Sequence, residues 1–378
     1  MKRIKILEVI DKTFLGGGQI NLLSLADSLS EEEFDISICT AGSGPLAEEA
    51  RRRKIPLHPL DMSRRFRFQT VSQMKDLLHG HDFDIVHTHG GVAGFYARSA
   101  AGKRRSFRMV HTQHGIHYLY YRNPVLKNLY IRLERWLSKF TDAVVFVSGG
   151  DWEQAMKHTL CPPEKAWVIK NGIPVEKMAA AVERARLPAE LTERPKPVIG
   201  TVARLHFQKN IPLLLAAAVK LRRHFPGLTV VLAGDGPQRS RLENMCRRMG
   251  IGRHVLFLGE RRDIPALLAG MDVFVLPSRW EGLPYALLEA GAAKKPVAAT
   301  DVDGIREVIV PERNGLLAGS GDPEALAESI QRLLTDKNWA SKLGKQLYQD
   351  VLNRFTLSGM AEQTRNLYLR LLVRPGVH

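Results

Sequence analysis

Along its whole length this chain alternates short apolar runs with stretches of helical periodicity, and few folds accept that pattern. In the first half the runs are Ile4–Ile10, Phe34–Thr40, Ile85–Thr88, Met109–Thr112 and Ala143–Val147. In the second half they are Val198–Val202, Thr229–Ala233, Val255–Leu258, Val273–Leu276 and Val297–Thr300. Short β-branched runs read as buried strands, and strand–helix alternation builds parallel sheets. The stretch Val182–Pro197 is polar, carries Pro188, Pro195 and Pro197, and has no strong apolar run, so it is expected to be a linker. The division expected is a domain over 1–181, a linker over 182–197 and a second domain from 198. Open parallel sheets bind ligands beyond the carboxyl ends of their strands, so a cleft between two facing sheets is expected.

Composition excludes whole classes. With 378 residues, 44% hydrophobic and 25% charged, the chain is neither disordered nor a disulfide miniprotein. Its three cysteines, Cys39, Cys161 and Cys246, lie far apart and form no Cys-x-x-Cys pair, which points to an intracellular protein. The start of the chain puts Lys5, Glu8 and Asp11 in and around its first apolar run, where a signal peptide needs an uncharged stretch. No segment is long enough to span a bilayer, so a soluble or peripheral protein is expected. The net charge is +16, and residues 51–150, with 18 basic and 6 acidic side chains, hold +12 of it. Such a field attracts nucleic acid, anionic lipid or phosphorylated substrates.

Chemistry is concentrated where strands end. Gly16-Gly17-Gly18 follows the first strand and opens a helix near Gln19, where bare backbone N–H groups can meet an anion. The spacing is not that of a dinucleotide fingerprint, and an ordinary strand-to-helix turn is the alternative. Arg204 and Lys209 follow the strand Val198–Val202 and can converge on a pyrophosphate, or can be solvated surface charge. Gly234-Asp-Gly-Pro237 is a tight turn at the end of the next strand. The most specific segment is Pro277-Ser-Arg-Trp-Glu281-Gly-Leu-Pro-Tyr-Ala-Leu-Leu-Glu289. Pro284 suits a first helical turn. Glu281 then lies in a loop, and Glu289 lies more than one turn into the helix, able to accept hydrogen bonds from a pair of hydroxyls or simply to be solvated.

These segments, with Asp84-Ile-Val-His-Thr-His89, His111-Thr-Gln-His114-Gly and Asn171-Gly-Ile-Pro174, resemble in kind and order the retaining GT-B-fold glycosyltransferases of family four, the group 1 type. The resemblance spans nearly the whole chain. It implies two Rossmann-like domains, with a nucleotide-sugar-binding domain over 198–355. The segment 356–378 is then a helix returning to the N-terminal, acceptor-binding domain, with Leu357–Leu372 as the crossing helix. It further implies that Arg204 and Lys209 hold the donor diphosphate, that Glu289 binds the nucleotide ribose, and that Glu281 stands near the transferred sugar. Gly282 and Leu283 supply backbone beside it. His114 meets the donor sugar, Gly17 and Gly18 approach the diphosphate, and Gly234 belongs to the donor site.

The expected reaction moves a sugar, with retention of anomeric configuration, from a nucleotide sugar, most often a UDP-sugar in this family, to a glycan or lipid-linked acceptor. Cell-surface polysaccharide, lipopolysaccharide or glycolipid is the product expected. No carboxylate is marked as a nucleophile, so same-face attack, with the leaving phosphate taking the acceptor's proton, is the mechanism adopted. No metal and no other cofactor is expected. Asp301-Val-Asp303 and Asp82-Phe-Asp84 mimic a metal motif of another glycosyltransferase fold but fall in surface loops, and His87, His89, His111 and His114 are read as satisfied histidines. Another activity of the same fold, epimerisation or phosphorolysis, is the alternative. Nucleic-acid binding has only the charge in its favour.

Asn123–Phe140 is an amphipathic helix with Val125, Leu126, Leu129, Tyr130, Leu133, Trp136, Leu137 and Phe140 at helical spacing. Core packing of that stripe is the favoured reading, and an anionic membrane surface is the other, joined by Tyr118–Arg122, Arg51–Lys54, Arg64–Arg67 and Lys103–Arg105. The protein is then cytoplasmic, or peripheral on the inner face of the cell membrane. Acceptor contacts are expected from loops around Arg64–Phe68 and His117–Arg122.

Overall fold

The computed structural model describes residues 2–63, 67–103 and 105–373, which form two compact units. One unit comprises the described residues up to 171 together with 357–373, and the other comprises those of 172–356. Arg64, Arg65, Phe66 and Arg104, which belong to the basic runs read from sequence, lie outside the described residues.

The first unit carries a parallel sheet of seven strands. These are β1 (Ile4–Ile10), β2 (Phe34–Thr40), β3 (Leu57–Pro59), β4 (Ile85–His89), β5 (Arg108–Gln113), β6 (Ala143–Phe146) and β7 (Ala166–Val168), in spatial order β3-β2-β1-β4-β5-β6-β7. Leu7, Val9, Val86 and Met109 point to one face, under the helices Phe68–Gly80 and Gly91–Ala101. Ile6, Ile85, Val110 and Val145 point to the other, where Met360, Leu367, Tyr368 and Leu371 of the C-terminal helix Leu357–Val373 join them. With both faces covered, the strands read as continuous apolar runs.

The second unit repeats the plan with β8 (Val198–Val202), β9 (Thr229–Ala233), β10 (Val255–Gly259), β11 (Val273–Leu276), β12 (Val297–Thr300) and β13 (Leu316–Ala318). Their order, β10-β9-β8-β11-β12-β13, reverses direction between β8 and β11. Ligands of doubly wound sheets bind at such a switch point.

The structure corrects the division into units, the bare linker and the packing of the amphipathic helix, and it adds three edge strands. The edge strands β3, β7 and β13 escaped sequence reading because each is three residues long. The division between units falls at Asn171/Gly172, not at 181. Residues 182–197 are not a bare linker: they contain the short helix Ala189–Thr192, whose Leu191 is 2% exposed. Leu191, packed against Gly270, is what gives this polar stretch a place in the second unit, and the sequence does not show which of Leu187 and Leu191 turns inward.

The amphipathic helix is the third correction. Over Pro124–Leu137 its buried residues are Ile131, Glu134 and Leu137, whereas Val125 is 76% exposed, Leu129 60% and Trp136 43%. Half of the apolar stripe, Val125, Leu126, Leu129 and Trp136, is therefore exposed, and only Leu137 of it is buried. The cause is Arg98, 1% exposed on the helix Gly91–Ala101, whose guanidinium pairs with Glu134 at 3.0 Å. A buried cation requires a counter-charge, and that turns Glu134 inward.

Candidate active site

In the second unit, the loops after β8, β9 and β11 converge. Leu205 N donates to Asp235 O at 2.9 Å and Gln238 N to Leu205 O at 3.0 Å, so the Arg204 loop is zipped to the Gly234–Pro237 turn. Gly234 adopts φ +130°, and a Cβ there would sit 2.1 Å from the carbonyl oxygen of Ala203. That glycine packs two loops together, which is how it serves Arg204, exposed at the head of the loop.

The loop after β8 continues into a turn, Phe207–Lys209, and then the helix Ile211–Leu221. Lys209 Nζ lies 2.5 Å from Glu281 Oε1, and the same oxygen accepts from Ser278 Oγ at 2.5 Å. Gln208 Nε2 donates to Trp280 O at 3.0 Å, and Arg279 N donates to Gln208 O at 2.8 Å, tying the loops after β8 and β11 together. Ser278 is fully buried and its carbonyl accepts from Thr300 Oγ1 at 2.5 Å, so the mount of Glu281 is anchored in β12. Gly282 and Leu283 are buried behind Glu281, and the helix Tyr285–Ala292 follows. Pro284 sits at its N-cap, one position earlier than the sequence suggested. Glu289, in the second turn, makes no side-chain hydrogen bond or ion pair with any described residue, and desolvation pushes its pKa up to about 7. A half-buried carboxyl without a partner is an acceptor left open.

In the first unit, the helix Gly17–Ser28 starts at the Gly-rich loop, which Gln19 braces by accepting from Gly16 N at 3.2 Å and donating to Lys12 O at 3.0 Å. A Cβ on Gly18 would stand 3.3 Å from the ring of His114, so the loop and the histidine meet with no room between them. His114 Nε2 lies 2.9 Å from His89 Nδ1. Burial holds the His114 pKa well below the ordinary histidine range, so the ring is neutral.

Residues 162–350 match the family model described as "Glycosyl transferases group 1", and residues 15–177 match "Glycosyltransferase Family 4". The chain is 30% identical to the Escherichia coli UDP-Gal:alpha-D-GlcNAc-diphosphoundecaprenol alpha-1,3-galactosyltransferase, with 98% of each chain covered. It belongs to the group 1 glycosyltransferases. It is 31% identical to the putative glycosyltransferase EpsD of Bacillus subtilis, over 84% of this chain and 82% of that one. Anabaena Alr3699/HepE, solved with UDP and glucose, superposes with a TM-score of 0.84 at 20% identity, covering 97% of this chain and all of that one. The fold is GT-B.

Within this glycosyltransferase the structure joins Lys209 to Glu281, Arg204 to Gly234 through the zipped loops, and Gly18 to His114. Glu289 makes no hydrogen bond or ion pair with Lys209. Asp301 is bound to Arg306 at 2.5 Å, and Asp84 accepts from Lys5 N at 2.8 Å, so these carboxylates of the metal-like motifs are engaged within the protein. Of the four histidines, His87, His89 and His114 cluster, with ring centroids 4.3 and 5.2 Å apart along that series. His111 points to the opposite face of β5, where Thr88 Oγ1 is 2.7 Å from its Nδ1, because side chains alternate along a strand. Glu8 was missed as a functional candidate, although a carboxylate inside a central apolar strand is a readable signal. Glu8, His87 and His89 bring potential ligand atoms within 4.8 Å of one another, but those atoms are hydrogen-bonded within the protein. Tyr368 and Ser278 carried no sequence signal at all.

Proposed function

We propose that this glycosyltransferase moves a sugar from a UDP-sugar, with retention of configuration and without a metal, onto a lipid-linked or glycan acceptor in cell-surface polysaccharide, lipopolysaccharide or glycolipid synthesis. The observation that carries the donor reading is the carboxyl of Glu289, without a side-chain partner among the described residues, in the helix that follows the Glu281 loop. Ribose hydroxyls are the donors it lacks. The acceptor reading is supported by the galactosyltransferase relative, whose name specifies a sugar on diphosphoundecaprenol.

In this reaction the anomeric bond breaks and the diphosphate gains charge. Arg204 and Lys209 stabilise that charge, Lys209 exchanging Glu281 for a phosphate oxygen while Ser278 keeps the Glu281 carboxylate in place. Gly282 and Leu283 line the sugar's position, and His114, with Gly17 and Gly18 beside it, is assigned to the donor sugar by the family resemblance. The leaving phosphate then takes the acceptor hydroxyl's proton on the same face. Removing one such electrostatic group costs about 3–4 kcal/mol, a factor of roughly 10² to 10³ in kcat.

The exposed stripe Val125, Leu126, Leu129 and Trp136, with Arg122, Arg132 and Lys139 around it, suits a leaflet of anionic lipid on the inner face of the membrane. No described helix is long and apolar enough to cross a membrane.

The test is thermal stabilisation by UDP, GDP, ADP, CMP and NAD, each in EDTA. Stabilisation by UDP, reduced in Glu289→Ala, is expected, and no response to any of them would sink the donor reading. NMR of the product should show the donor's anomeric configuration. Binding to anionic but not neutral vesicles, lost at high salt, is expected of the stripe, and equal binding to both would refute it.

A further inference from the structure

Behind His114 the first unit holds a buried polar network whose other members the reaction as proposed does not use. Glu8 lies inside β1, 1% exposed, with β4 and β2 on either side. Its Oε2 is 2.6 Å from His89 Nε2, and its Oε1 accepts from the Tyr368 hydroxyl at 3.1 Å. His89 Nδ1 is 2.9 Å from His114 Nε2. On the other branch, His87 Nδ1 is 2.6 Å from the Tyr368 hydroxyl and His87 Nε2 is 2.7 Å from Thr112 Oγ1.

One ionised carboxylate dictates every hydrogen in this network. Burial alone would raise the Glu8 pKa, but the imidazoles of His87 and His89 beside it, His89 in direct hydrogen bond, hold it well below the usual carboxylate range. An ionised carboxylate only accepts. His89 therefore carries its proton on Nε2, and its neutral ring leaves Nδ1 as an acceptor. His114 must then donate from Nε2, which leaves its Nδ1 as a lone pair with no partner among the described residues. The other branch has the same polarity: Tyr368 donates to Glu8, His87 Nδ1–H donates to Tyr368, and Thr112 donates to His87 Nε2.

We propose that Glu8 and His89 are positioning residues for the transfer, holding His114 in the Nε2–H tautomer so that its unprotonated Nδ1 accepts a hydrogen bond from a hydroxyl of the donor sugar. The proposal rests on the assignment of His114 to the donor sugar made above. It adds a selection rule: the group facing His114 must be a hydrogen-bond donor, so a sugar carrying fluorine or an ether oxygen there is a poor substrate. Gly18 belongs to the device, because the missing Cβ lets the helix start press on the His114 ring and keep it in line with His89.

The test uses the full chain labelled with nitrogen-15 at histidine, with the His114 signals assigned through His114→Gln. The two ring nitrogens of each tautomer are distinguished by long-range proton–nitrogen correlation. Nε2–H rings at both His89 and His114 are expected, and an Nδ1–H ring or a mixture at His114 overturns the proposal. In Glu8→Gln the side-chain amide can donate to His89, so His114 is expected to lose its single tautomer. Its kcat is expected to fall about 10- to 100-fold, more than the donor KM rises, as when an orienting partner of a histidine is removed. A folded Glu8→Gln with an unchanged His114 tautomer also overturns the proposal. Should that variant not fold, the wild-type spectrum still decides, and Tyr368→Phe, which leaves the Glu8–His89 bond in place, is expected to keep the tautomer. Adding the UDP-sugar is expected to shift His114 Nδ1. An Nε2–H ring at His114 that does not respond to the UDP-sugar, in protein that UDP still stabilises, would remove His114 from the donor site and overturn the proposal while leaving the Glu289 reading intact.

Discussion

Glu8 in the first unit and Glu289 in the second are carboxyls in nearly apolar surroundings, and their fates are opposite. Glu8 is encircled by donors from His89 and Tyr368 and is held ionised. Glu289 has no side-chain partner among the described residues and holds its proton to about pH 7. Desolvation pushes both upward, so the difference lies in who supplies the hydrogen bonds. A carboxyl whose donors come from the protein positions its neighbours. One whose donors are absent is reserved for a ligand that brings them.

The largest expected effect is on stability. Glu8→Ala strands the donors of His89 and Tyr368, each costing ~1–3 kcal/mol when buried without an acceptor, so a loss of about 3 kcal/mol is expected in urea unfolding. A loss under about 1 kcal/mol would mean the network is not the ionised one described. Next comes binding: Glu289→Gln should weaken UDP about 10- to 100-fold, the worth of hydrogen bonds to a charged group, by calorimetry at pH 8. Unchanged affinity would erase the contrast.

The two carboxyls should also bend the stability–pH curve in different places. Glu289 titrates at 4.5 unfolded and about 7 folded, so between those values the native state binds more protons and stability falls as pH rises. Glu289→Gln should escape this fall and gain about 2 kcal/mol over the wild type by pH 8. The Glu8 pKa is depressed on folding, so its contribution is present above the unfolded value of 4.5 and is lost as pH falls further. Denaturation of both variants from pH 3 to 9 separates the limbs. The same logic makes UDP binding release a proton near neutrality, and it should tighten from pH 6 to 8. The smallest effect is Gly18→Ala: the His114 ring must give by a few tenths of an ångström, so stability should change by about 0.5 kcal/mol. Its donor KM should rise a few-fold, and no change would mean that Gly18 leaves His114 unconstrained.

Much of this was legible in the chain itself. The central strands announce themselves because burial on both faces makes them continuous apolar runs, and Arg204, Lys209, Glu281 and Glu289 stand out as charges where such strands end. The edges were not legible, since β3, β7 and β13 have too few residues for any pattern. The helix Pro124–Leu137 misled because periodicity tells which residues share a face and not which face turns inward. Arg98, far away in sequence, settled that through Glu134. Of the histidines read as satisfied side chains, His87, His89 and His114 are links in one network, in which Glu8 and Tyr368, 360 residues apart, meet.

The sequence by itself determined two doubly wound sheets, the loops that carry the charged residues, and the family, because these depend on local pattern and on order along the chain. Only the tertiary structure decided that Lys209 meets Glu281, that the Glu289 carboxyl has no side-chain partner among the described residues, and that His114 is held through His89 by Glu8. Those are matters of desolvation and of hydrogen bonds a few ångströms long between distant segments, and neither exists until the chain has folded.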